Sequence, residues 1–131
     1  MLKRFLIATV AIFVAWMAVD LALHRFVLGP LYAENPVLWH PAAELNTPLI
    51  YGVIFGLIAS YFFLFELLVS PKTVKTGLQF GAILGFVIGL SVGFGTYIHM
   101  PVPLALAWGW FLGGWIKAVL AGAILGALPR K

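Results

Sequence analysis

Four apolar runs, each long enough to cross the hydrocarbon core of a bilayer, leave this chain few folds to choose from. A helix needs about 20 residues for that crossing. The runs extend from Phe5 to Leu28, Pro48 to Val69, Thr76 to Ile98 and Pro103 to Leu128. Pro30, Pro48, Pro71, Pro101, Pro103 and Pro129 fall at their edges. Proline lacks an amide hydrogen and crowds the preceding turn, so it marks where a helix starts or stops. Ser70–Lys75 and His99–Val102 read as tight turns, whereas Gly29–Thr47 is longer than a hairpin needs. The expected fold is one all-α transmembrane domain over residues 1–131, a four-helix bundle with a long outer segment between helices one and two. Composition agrees: 9% of the residues are charged and 63% are hydrophobic, where a soluble domain is about a quarter charged.

Lysine and arginine set the orientation. Lys3, Arg4, Lys72, Lys75, Arg130 and Lys131 flank the runs on one side and only Arg25 on the other. Positive loops stay in the cytoplasm, so both termini are expected inside a plasma (inner) membrane. A secretion signal opens in the same way, but no small-x-small cleavage site follows the first run, and a retained anchor is the reading. The net charge of +4 sits at helix ends and forms no patch for nucleic acid. Cysteine is absent, which excludes disulfides and thiolate chemistry.

Small residues recur every four positions. The third run carries Gly77, Gly81, Gly85, Gly89 and Gly93; the fourth has Gly114, Ala118, Gly122 and Gly126; the second has Gly52, Gly56 and Ser60. Lipid tails are as apolar as leucine, so helices associate in a membrane by close backbone approach. This spacing predicts GxxxG packing, with the third helix the most enclosed. The groove serves either the bundle itself or a second subunit. Pro48-Leu49 and Pro103-Leu104 open the second and fourth runs alike, a trace of hairpin duplication.

Polar groups inside such runs are costly and informative. Glu66, Lys117 and Gln79 are expected in the inner leaflet, as a structural ion pair with an added hydrogen bonder or as part of a proton or ion relay. Toward the outer side, Asp20 and His24 share a helix face at i, i+4. His40 and Glu44 repeat the spacing in the long segment, where Pro41 could open a short helix, and His99 ends the third run. Neutral imidazoles with carboxylates suit zinc, copper(II), nickel or iron, so Asp20, His24, His40, Glu44 and His99 form the candidate metal set. Haem held between His24 and His99 is a further alternative. Tyr32, Trp39, Tyr51, Tyr97, Trp108 and Trp110 fall toward the outer interface, where amphipathic rings settle; Trp16 and Trp115 lie deeper.

No GxSxG, phosphate loop, HExxH or C-x-x-C is present. In size and helix count the chain is similar to the small multidrug transporters, with Asp20 as the counterpart of their first-helix acid. It departs from them in placing that acid in the outer third and in its long outer segment. Two function classes result: an accessory or assembly subunit of a membrane complex, or a transporter or sensor of a small solute or metal ion. Its partners are the bilayer and either further copies or other membrane subunits.

Overall fold

The computed structural model describes residues 1–130, which form helices and turns with no strand. Helix α1 spans Leu2–Val27, α2 is the short Gly29–Ala33, and α3, α4 and α5 span Thr47–Leu68, Val74–His99 and Leu104–Ala127. Four of them, α1, α3, α4 and α5, are long and apolar enough to cross a membrane. Each start has a local cause. Asn46 accepts the Leu49 amide at 3.0 Å with Pro48 in the first turn of α3. Thr73 and Thr76 form a capping box, each side chain accepting the other's amide. That pair starts α4 at Val74, two residues before the apolar run read from Thr76.

α4 and α5 pack antiparallel along the glycine face. A methyl group at Gly77 would strike the backbone of Gly122, and at Gly81 that of Ala118 and Val119; Gly85 faces Trp115 and Ala118, Gly89 faces Phe111, and Gly93 faces Ala107 and Phe111. All five glycines are buried. Yet the most enclosed helix is α5, which also packs on α1 and α3. The glycines serve one face of α4 only, and Ile83 and Val87 on the rest of it are exposed. Gly52 and Gly56 of α3 have open space before them.

The core has two parts. Ala8, Ile12 and Trp16 of α1, Ile58, Tyr61, Phe62 and Phe65 of α3, and Ala118, Ala121 and Leu125 of α5 fill the end nearer the termini. At the opposite end Leu28, Val102 and Leu106 gather Leu31, Tyr32, Leu38, Trp39 and Trp110, so the long connecting segment folds back over the start of α5. The short helix expected from His40-Pro41 is a 3₁₀ turn, Ala42–Glu44.

Two of the long helices widen into π turns, Leu21–Val27 in α1 and Ser91–Gly95 in α4. The Leu28 amide reaches back five residues to the Leu23 carbonyl at 2.8 Å. Such a turn re-aims the side chains beyond it and is frequent at functional sites.

Candidate functional site: two polar clusters divided by an apolar plug

The first cluster is built around Lys117, midway along α5: about 20 Å from the helix start and about 15 Å from its end at 1.5 Å per residue. Its ammonium donates to both carboxylate oxygens of Asp20 at 2.9 Å and lies 5.1 Å from the Trp16 ring centroid. Helical Cα–Cβ bonds tilt toward the helix N-terminus. Because α1 and α5 are antiparallel, Asp20 and Lys117 lean toward each other, which closes the contact.

From Asp20 the network continues into the folded-back segment. His24 Nε2 lies 3.7 Å from Asp20 Oδ1, and its Nδ1 is 2.8 Å from the Tyr32 hydroxyl. Trp110 Nε1 donates to that same hydroxyl at 2.8 Å. An indole N–H can only donate, so the Tyr32 hydroxyl accepts from Trp110, and it shares one further proton with His24 Nδ1, on the side the imidazole tautomer sets. Trp39 packs edge-on against both Tyr32 and Trp110. Burial raises the Tyr32 phenol above its ordinary value, the Trp110 hydrogen bond acts against this, and the Asp20 charge adds to it.

Two clefts meet at this cluster. One, of about 180 Å³, is lined by Asp20, His24, Val92, Trp110, Gly114 and Lys117. The other, of about 200 Å³, is mostly apolar and runs past Trp16, Tyr61 and Ile88, sharing Val92, Trp110, Gly114 and Lys117 with the first. A Cβ at Gly114 would meet open space.

The second cluster lies at the end holding both termini. Glu66 is 3.1 Å from Arg4 Nη2 and 4.0 Å from Lys72 Nζ. Arg4 Nη2 also donates to the Leu125 carbonyl at 2.8 Å, and Arg130 to the Lys72 carbonyl. Between the clusters stand Ile12, Ile58, Phe62 and Ala121, each fully buried, with Phe65 and Leu125 beside the second cluster itself.

These positions correct several expectations. Glu66 and Lys117 do not pair: Lys117 holds Asp20, and Glu66 holds Arg4. α3 and α5 run in the same direction, so both side chains tilt the same way, and at 1.5 Å per residue Lys117 lies about 12 Å farther from its helix end than Glu66 does. Gln79, expected beside them, is exposed on α4. Of the metal set, Asp20 and His24 are neighbours, but His40, Glu44 and His99 are exposed. Among the described residues no three His, Asp or Glu side chains converge as a metal ion needs. The i, i+4 spacing of His40 and Glu44 shares a face only in an α-helix, and that stretch is not one. Arg4, Tyr32 and Trp110 join the clusters without having stood out as partners in the sequence. Trp16 and Trp115 donate to the Lys117 and Ala82 carbonyls at 2.8 and 2.9 Å.

Comparison of the chain with family models, with characterised proteins and with solved structures finds no match.

Proposed function

We propose that this is a four-span protein of the plasma (inner) membrane, both termini cytoplasmic, acting as an accessory or assembly subunit of a membrane complex. Its charged groups serve docking and anchoring, not passage. The observation that carries this reading is the apolar plug. Polar groups occur in two sets, and the fully buried side chains between them offer no path for an ion. The Asp20–Lys117–His24–Tyr32–Trp110 network links α1 and α5 to the folded-back segment and so fixes the shape of the outer surface. The α4–α5 seam uses its small residues internally, which leaves the Gly52–Gly56–Ser60 face of α3 for a helix of another chain.

A second reading, binding of a small solute from the outer side, is favoured by the joined clefts beside Lys117. Purification in mild detergent from cells with native expression distinguishes the two. The accessory role predicts a co-purifying chain at fixed stoichiometry that Gly56→Trp releases while the monomer stays folded. Recovery of this chain alone, with the same mass before and after the substitution, would contradict it.

A further inference from the structure

The end carrying the termini holds a cavity of about 360 Å³ that the plug and the docking face leave unused. Its lining includes Arg4, Glu66, Ser70, Lys72 and Arg130. Three cationic side chains thus face one carboxylate. Glu66 is engaged mainly by Arg4, since Lys72 stands at 4.0 Å against 3.1 Å for Arg4. The positive charge of Lys72 and Arg130 therefore stays largely uncompensated at the cavity.

A second observation points the same way. The Arg4 side chain is nine-tenths buried, with 10% exposure, yet its Nε has no hydrogen-bond partner, and the Glu66 Oε1 it approaches is out of line for a hydrogen bond. A guanidinium presents five donors in a planar fork suited to carboxylate and phosphate oxygens. Buried polar atoms are seldom left unpaired, and here Arg4 Nε remains an unmet donor beside a cationic cavity even though Glu66 Oε1, itself unpaired, lies close to the same guanidinium. Ser70 adds a neutral hydroxyl-bearing residue to the lining. The size and the excess of donors over the one carboxylate, Glu66, fit a tetrahedral oxyanion.

We propose that this cavity binds a phosphate group, held by Lys72 and Arg130 with Arg4 beneath. In the orientation given above, on which this inference rests, the cavity lies at the level of the cytoplasmic headgroups. Basic pockets between helices on that side receive anionic lipid headgroups. A soluble phosphate has the same chemistry, and the two sources are separable.

The full chain, purified in a neutral sugar detergent, is titrated with phosphatidylglycerol, phosphatidylcholine or inorganic phosphate while its thermal unfolding is followed. Phosphatidylglycerol is expected to raise the unfolding temperature saturably, and phosphatidylcholine far less. Lys72→Gln combined with Arg130→Gln should weaken the midpoint about tenfold or more, the scale of a lost charge-assisted hydrogen bond. Lys75→Gln removes a nearby charge that does not line the cavity and should leave the midpoint unchanged. The single Lys72→Gln, which removes only the long 4.0 Å contact with Glu66, keeps the test valid if the double variant misfolds. An equal response to inorganic phosphate assigns the site to a soluble phosphate and still supports it. Equal responses to both lipids with none to phosphate, or a Lys75→Gln effect as large as that of the cavity variants, would overturn it. Loss of the co-purifying chain on Gly56→Trp reports the accessory role separately, so either proposal can fail alone.

Discussion

Replacing Lys117 by methionine keeps the unbranched stem of the side chain and removes its ammonium, leaving His24 as the partner of Asp20, at 3.7 Å. Truncating one partner of a fully buried ion pair costs about 3–5 kcal/mol. Here the side chains of Lys117 and Asp20 keep 23% and 25% of their surface open, which moves the expected cost down to about 2–3 kcal/mol. Removing both charges, as Asp20→Leu with Lys117→Met, should cost less than the sum of the single losses. Polar contacts between membrane helices couple by about 0.6 kcal/mol on average and about 1.7 at most. Two hydrogen bonds at 2.9 Å to one carboxylate belong at the upper end, so the coupling should be about 1–1.7 kcal/mol. Reversible unfolding in mixed micelles of rising anionic-detergent fraction measures all four proteins. A coupling under about 0.5 kcal/mol, the ordinary scatter of independent sites, would show that Asp20 and Lys117 do not act as a pair.

Gly81→Leu should destabilise the fold by about 1–3 kcal/mol or prevent it, because its side chain meets the α5 backbone, whereas Gly52→Leu should fold as the parent does; the same unfolding assay separates them. Tyr32→Phe leaves the Trp110 N–H without its acceptor and should cost about 1–3 kcal/mol, read also as faster proteolysis within residues 34–46. The phenol of Tyr32 is raised in the folded state, so its stabilising contribution is complete below pH 10 and falls as pH climbs past the ordinary tyrosine value toward the folded one. Subtracting the ultraviolet titration of Tyr32→Phe from that of the parent should isolate a transition above pH 10. Single cysteines at Thr73 and Asn35, added to a chain that has none, should label from opposite sides of intact cells, Asn35 from outside.

The helices were legible because their signals are local: length and hydropathy mark each span, and proline marks the ends. The Thr73–Thr76 capping box was not legible, since threonine stands where the usual signature has Glu or Gln and residues 70–75 read as a turn. Partners within the bundle were not legible either. Depth along a helix suggested Glu66 for Lys117, but pairing depends on which helices are antiparallel and which adjoin. Only the assembled fold shows α5 packed against α1, α3 and α4 together. The π turns at Leu21–Val27 and Ser91–Gly95 escape any reading that assumes 3.6 residues per turn, and with them went the setting of His24. Tyr32 and Trp110 looked like ordinary interface aromatics because nothing in the sequence links two residues 78 positions apart.

The division of the polar groups into two clusters is tested most directly at Gly114, which lines both clefts beside Lys117 and has room for a side chain. Gly114→Cys provides a lone thiol there. A membrane-impermeant thiol reagent should modify it when added outside, and should fail to do so when added only to the cytoplasmic face of inverted vesicles, because the buried Ile12, Phe62 and Ala121 lie across that route. Modification from the cytoplasmic face at a comparable rate would mean that a water-filled path crosses the plug, and the accessory-subunit account would give way to one of transport.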